Sequence, residues 1–187
     1  MTPLYTATYA SPLGAIVLES DGECLTALRF TDDANIASAA PVEYAASWVP
    51  KELRSNGVPY MHGCANDSDS NIPVLAQTIQ WLDDYFAGKK PRVIPRLNPR
   101  GTDFQKRVWQ ALFTIDYGQT KTYGEIAKML GCRSAQAVGQ ALTRNPIAII
   151  IPCHRVIAAH SKLGGYGFGV ALKQQLLQME SQMILKS

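Results

Sequence analysis

The sequence predicts an α+β protein: a small antiparallel β-sheet with a helix, then a mostly helical half that carries a helix-turn-helix. Three observations lead there. The first thirty residues alternate β-forming segments with tight-turn signals, and helical periodicity begins near residue 73. The second half then holds two capping boxes and a pair of short helices around a glycine.

Residues 4–9 are rich in β-formers and run into Ser11-Pro12-Leu13-Gly14, a turn signal. Ala15, Ile16, Val17 and Leu18 make a second strand, Ser20-Asp21-Gly22-Glu23 a second turn, and residues 25–30 a third strand. Residues 31–71 lose the period: a short helix is expected within 34–46, and loop elsewhere, because prolines, glycines and the run Asn66 to Asn71 interrupt it. From residue 73, Leu75, Ile79, Leu82 and Phe86 fall at i, i+4, i+7 and i+11, one apolar helix face that Gly88 ends. Residues 89–100, with Pro91, Pro95 and Pro99, read as an extended linker and place the domain boundary, giving domains 1–90 and 91–187.

Thr102-Asp103-Phe104-Gln105 forms a capping box, whose hydroxyl and amide satisfy otherwise orphan N–H groups. The helix it opens is expected to reach about Ile115. Thr122-Tyr123-Gly124-Glu125 opens a second, short helix, and a third follows Gly131 and Cys132 over residues 134–142. A last helix is expected over 170–182, with Leu172, Leu176, Leu177 and Met179.

At 187 residues, 47% hydrophobic and 18% charged, the chain is long enough to bury a core and too apolar for intrinsic disorder. Its net charge of +3 divides unevenly: residues 1–90 carry 5 basic against 11 acidic side chains, a net of −6, and residues 91–187 carry 13 against 4, a net of +9. Either the second half meets a polyanion, or the two halves neutralise each other within one globule. The longest apolar run, residues 147–151, has five residues, far short of a membrane span. Met1-Thr2-Pro3-Leu4-Tyr5 lacks the basic and apolar regions of a secretion signal, so a cytoplasmic location is expected, nucleoid-associated, or nuclear in a eukaryote. Cys24, Cys64, Cys132 and Cys153 contain no C-x-x-C and are expected to be reduced; with only His62 near Cys64, no metal site is expected.

Two constellations carry chemistry. In the helix pair around Gly131, the second helix carries almost no side-chain bulk, with Ala135, Ala137, Gly139 and Ala141. Such a helix approaches another surface closely, either a narrow DNA groove or, as an ordinary αα-hairpin, the protein's own core. The second is the segment Asn145 to Val156. A β-branched run bounded by prolines reads as a buried strand, and Cys153, His154 and Arg155 follow it. A thiol becomes a strong nucleophile as thiolate, and neighbouring cationic or basic groups lower its pKa. In an extended chain neighbours point oppositely, so His154 would need a bridging water or a turn at Cys153 to take its proton. Against this stands a buried cysteine as an inert small hydrophobe. Downstream, Gly164-Gly165-Tyr166-Gly167-Phe168-Gly169 offers backbone N–H groups and aromatic faces to a planar base, or is a glycine-rich turn with two rings in the core.

Assembled, these residues resemble the O6-alkylguanine-DNA alkyltransferase family. The resemblance rests on Ile150-Ile151-Pro152-Cys153-His154-Arg155-Val156, supported by Arg100 to Gln105 with Val108-Trp109, Tyr123 to Ala127, Ala137-Val138-Gly139, Asn145-Pro146, Gly165-Tyr166, and Lys173 through Glu180. Ser11-Pro12-Leu13-Gly14 matches as well, so nearly all the chain outside 31–71 is covered. The family implies a ribonuclease-H-like N-terminal fold, a winged-helix-like C-terminal fold and a monomer without cofactor. It implies repair of duplex DNA by flipping O6-alkylguanine, with O4-alkylthymine as a second lesion, and irreversible, single-turnover transfer of the alkyl group to cysteine.

By that resemblance Cys153 is the acceptor, His154 the water-mediated base, Glu180 its orienting partner and Asn145 the brace of the turn. Tyr123 turns the phosphate and assists protonation of the leaving guanine. Tyr166, Gly167, Phe168, Val156, Ala159 and Lys173 form or steady the pocket; Gln136, Arg133, Ala135, Ala137, Gly139 and Arg155 meet DNA. The family usually places an arginine where Gln136 stands, which implies weaker filling of the vacated base stack, or a share taken by Arg133. Phe168 is expected to narrow the pocket mouth against O6-benzyl groups. The competing readings are a non-catalytic lesion-binding helix-turn-helix protein and a cysteine hydrolase using Cys153 and His154.

Overall fold

The computed structural model describes residues 4–31, 72–91 and 93–184. The short helix expected within 34–46, and the residues His62 and Cys64, lie outside them. Strands β1 (Tyr5–Ser11), β2 (Gly14–Ser20) and β3 (Leu25–Thr31) form an antiparallel meander in the order β1-β2-β3. Gly14 takes the β1–β2 turn at φ 120°, a conformation open to glycine and strained for other residues. Helix α1 (Pro73–Phe86) lays Val74, Leu75, Trp81, Leu82 and Tyr85 into the core beside Ile16, Leu18 and Leu28 of the sheet.

Residues 93–100 carry no helix, as the prolines require, but are not a free linker. Leu25 N–H donates to Arg96 O at 2.8 Å and Asn98 N–H to Leu25 O at 2.9 Å, so the strap adds to the outer edge of β3. The same edge then takes Ile147: Leu28 N–H bonds Pro146 O and Ala148 N–H bonds Leu28 O, both at 2.9 Å. The two halves thus share one sheet edge. That pairing protects backbone groups that would otherwise invite another chain.

Helix α2 (Asp103–Leu112) begins with the expected capping box, Gln105 N–H to Thr102 Oγ1 at 3.3 Å and Thr102 N–H to Gln105 Oε1 at 2.9 Å. It ends at Leu112 rather than near Ile115, because the chain tightens there and Ile115 N–H bonds back to Leu112 O. Trp109 is buried and donates from Nε1 to Ala141 O at 2.9 Å. Gly101 sits against it so closely that a Cβ would come within 2.5 Å of the ring. Gly101→Ala is therefore expected to cost about 1–3 kcal/mol, the usual range for overpacking, read as a lower urea midpoint at unchanged slope.

A short parallel pair, β4 (Lys121–Thr122) with β5 (Val156–Ile157), ties the cysteine segment to the start of α3 (Tyr123–Met129). A turn through Gly131, at φ 64°, leads to α4 (Ala135–Thr143), whose N-cap Ser134 accepts from Ala137 N–H. Helix α5 (Val170–Ile184) closes the chain.

The segment after Asn145 departs from expectation. Residues 147–151 are buried, but after the single bridge at Ile147 they coil instead of extending. Ile150 N–H bonds Ala148 O and Cys153 N–H bonds Ile151 O, two tight turns, and Ile149 adopts φ 63°. A β-branched residue in that region is strained by about 1–3 kcal/mol and persists only when packing dictates it. Here Ile149 is enclosed on all sides. Apolar composition reported the burial correctly, while the flanking prolines and Asn145 decided the conformation.

Candidate active site

Cys153, His154 and Arg155 form one turn of 3₁₀ helix. The turn at Cys153 is the one the sequence required; on a strand His154 and Arg155 would point apart, but here both reach the same carboxylate, Glu180. Asn145 organises the approach. Its Oδ1 accepts from Ile147 N–H at 3.0 Å, which fixes the amide orientation and leaves Nδ2 to donate to Ile151 O and Cys153 Sγ, each at 3.0 Å.

Glu180 is the centre of a buried cluster. Its Oε1 accepts from Tyr85 Oη–H at 2.8 Å and contacts His154 Nε2 at 2.8 Å, and its Oε2 accepts from Gly118 N–H at 2.8 Å. Arg155 adds Nε at 2.9 Å to Oε2 and Nη2 at 2.9 Å to Oε1. Burial works against the carboxylate, but the contacts with His154 and Arg155 outweigh it and bring its pKa to about 2. An ionised Glu180 can only accept, so His154 carries its proton on Nε2 and presents Nδ1 as a bare lone pair. Nδ1 is buried and has no hydrogen-bond partner among the described residues. Burial also pushes the His154 pKa down, so the ring rests neutral.

The thiol differs from expectation. Burial raises the Cys153 pKa, and the groups that oppose it are Asn145, its own backbone N–H, Lys173 and Tyr166 rather than His154 and Arg155. Cys153 therefore rests as a thiol, 5% exposed. Arg155, expected on DNA, is also corrected: its guanidinium is occupied by Glu180 and by Ile115 O at 2.8 Å and lies over the Tyr117 ring. It is an internal counter-ion.

Lys173 is buried on α5, one face with Leu176 and Glu180. Its ammonium donates to the carbonyls of Val156, Leu163 and Gly165, clasping the loop to β5, and burial lowers its pKa to about 8. Tyr123 opens α3, donates to Gly165 O at 3.2 Å, and lies 5.8 Å from the Lys173 ammonium. Gly164 approaches that ring so closely that a Cβ would meet it at 3.0 Å.

A cleft of about 500 Å³ lies between α4 and the glycine-rich loop, lined by Tyr123, Ala135, Gln136, Gly139, Tyr166 and Gly167 among others. Cys153 does not line it; burial raises the pKa of two of the walls, Tyr123 and Tyr166, and the nearness of Cys153 adds to the shift. The Tyr166 hydroxyl is buried within electrostatic reach of the sulfur, without a formed hydrogen bond. Ala137 is half-buried on the same helix, and Arg133 is exposed in the turn before it. Val156 is wholly buried in β5, and Ala159 is exposed on a further 3₁₀ turn; neither lines the cleft. Phe168 does not line it either. It packs edge-on against Phe30 of β3 and Tyr166, which removes the expected narrowing of the mouth. Sequence reading missed Tyr85 and Gly118 as partners of Glu180, one because it sits on an apolar helix face and the other because it acts through backbone.

A buried thiol under a bracing amide, a histidine–glutamate pair and a helix-turn-helix with a bare second helix together define a protein that brings nucleic acid to a reactive cysteine. The comparisons are more specific. Residues 4–94 match the ribonuclease-like domain of 6-O-methylguanine DNA methyltransferase and residues 103–182 its DNA binding domain, and the chain belongs to that family. It is 41% identical over 178 residues to the methylated-DNA–protein-cysteine methyltransferase of Mycobacterium leprae, spanning 95% of this chain and 92% of that one. The Methanosarcina acetivorans protein of the same name is 40% identical, spanning 95% and 98%. The crystal structure of the Mycobacterium tuberculosis O6-methylguanine methyltransferase superposes with TM-score 0.72 at 37% identity, covering 97% and 94% of the two chains. The Mycobacterium tuberculosis OGT in complex with DNA superposes with TM-score 0.70 at 37% identity, covering 94% and 92%.

Proposed function

We propose that the protein repairs duplex DNA by taking the alkyl group of O6-alkylguanine onto Cys153, once per chain and as a monomer, with O4-alkylthymine as a second substrate. The observation that carries this reading is the Cys153 sulfur held by Asn145 beside the His154–Glu180 pair. Residues 91–187 bind DNA and accept the alkyl group, and residues 1–90 serve as the scaffold. The α4 face with Ala135, Gln136 and Gly139 enters the minor groove, and the damaged base turns into the cleft against Tyr166 and Gly167. Extrusion costs a few kcal/mol of stacking, least at a weakened pair.

His154 Nδ1 then accepts the thiol proton through one water. The sulfur attacks the alkyl carbon; the S–C bond forms as the C–O6 bond breaks, and that electron pair stays with guanine. Tyr123 supplies a proton to the leaving base. Because a thioether is no leaving group at neutral pH, the protein stops after one event, and no cofactor is required.

The test is intact-mass measurement after incubation with a duplex containing O6-methylguanine. A single gain of about 14 Da, one CH₂, saturating at one equivalent per chain, is expected, since an acceptor that is not regenerated cannot turn over. Continued turnover would indicate a hydrolase, and binding with no mass gain a lesion-recognition protein; either result sinks the proposal.

A further inference from the structure

Tyr85 has no part in the transfer just described, yet its hydroxyl reaches the centre of the buried cluster. It lies on α1, in the N-terminal half, and donates at 2.8 Å to Glu180 Oε1, the oxygen that also meets His154 Nε2. Packing aims it: the ring is stacked on Trp81 at 5.3 Å and edge-on to Phe86 at 5.3 Å and Tyr117 at 5.7 Å. We infer that Tyr85 is a positioning residue for alkyl transfer, its O–H sharing one carboxylate oxygen with the His154 N–H and so limiting how basic Glu180 makes the imidazole.

The inference rests on the reading in which His154 takes the thiol proton. A carboxylate oxygen divides its electron density among its donors, so each further donor weakens the others. The groups facing this pair are Tyr85 from α1, Tyr117 and the Gly118 N–H from the loop before β4, Arg155 from the 3₁₀ turn, and Lys173 from α5. Among the described residues, only Tyr85 comes from the N-terminal half. Without its hydroxyl, Oε1 attracts the His154 proton more strongly, the imidazolium is stabilised, and the ring stays protonated to a higher pH. A protonated ring cannot act as base.

The experiment is single-turnover methyl transfer against pH with the full chain. Tyr85→Phe keeps every ring contact and removes one oxygen. The acid limb of its profile is expected to move to higher pH, with no fall in the plateau rate, where the ring is neutral in both proteins. Tyr9→Phe is the control: Tyr9 lies against the same helix, with its hydroxyl on Asp83 and its ring on Phe86, and should reproduce the parent's rate and midpoint. If Tyr85→Phe does not fold, 2,3-difluorotyrosine at position 85, a stronger donor of the same shape, is expected to move the limb to lower pH. An unmoved limb in the variant that folds overturns the inference, whether or not the melting temperature drops. A parent protein that transfers nothing overturns the proposed function first, and this inference with it.

Discussion

Replacing Glu180 by alanine is expected to lower the free energy of unfolding at pH 7 by about 3–5 kcal/mol, the range for removing one partner of a buried ion pair. The residue is fully enclosed, and its removal leaves the Arg155 guanidinium, the Tyr85 hydroxyl, the His154 N–H and the Gly118 N–H without their shared acceptor. Each orphaned donor retains its desolvation penalty. The parent's pH dependence should carry the same signature. Glu180 binds its proton less readily folded (about 2) than at its ordinary value of 4.5, so the unfolded chain takes up protons first as pH falls. The stability it supplies is thus complete above about 4.5 and lost on descending through about 2. His154 acts in the same direction, since its folded pKa lies below 6.5 and charging it is disfavoured by burial. Urea midpoints measured between pH 7 and pH 3 should fall in the parent. The carboxylate's share of that fall should be absent in Glu180→Ala, which has no buried carboxylate to protonate, while the share of His154 remains.

How far the sequence disclosed this site depends on which interactions are local. The capping boxes at Thr102 and Thr122 span three residues, so their composition is their structure, and both formed as read. The three strands were legible because alternating β-formers between turn signals leave few other ways to bury Ile16, Leu18 and Leu28. The segment after Asn145 was not, because burial and extension look alike in an apolar run. What coils it is Asn145 bonding across six residues to Ile151 O, together with two proline flanks. Arg155 shows the opposite failure: a basic side chain in a half of net charge +9 suggests phosphate. Its carboxylate lies twenty-five residues on, at Glu180, and only the packing of α5 reveals it. Lys173 and Glu180 carried one usable signal, since with Leu176 they recur at i, i+3 and i+7 on a face that is otherwise apolar. Charged residues on such a face need partners inside the protein.

Cys153→Ala is expected to abolish methyl transfer entirely while leaving recognition of the alkylated duplex intact. The loss is complete because the reaction is stoichiometric: alanine has no atom to accept the carbon, and no second nucleophile is held by Asn145. The fold should survive, since Asn145 keeps its bonds to Ile151 O and Ile147 N–H and the substitution removes only one sulfur from a well-supported turn. In the proposed reading DNA meets a different part of the molecule, the cleft and the exposed face of α4 with Arg133 before it, which the substitution leaves unchanged. The variant should therefore form a stable complex with the lesion instead of releasing repaired DNA. Its affinity should fall with rising salt at about the slope of the parent, because phosphate contacts that displace counterions set that slope and the thiol makes none. Intact mass and a gel-shift salt titration, run on parent and variant together, separate the two functions. Residual mass gain in the variant would move the acceptor to another residue, and a lost salt-dependent complex would mean that the thiol segment itself holds DNA.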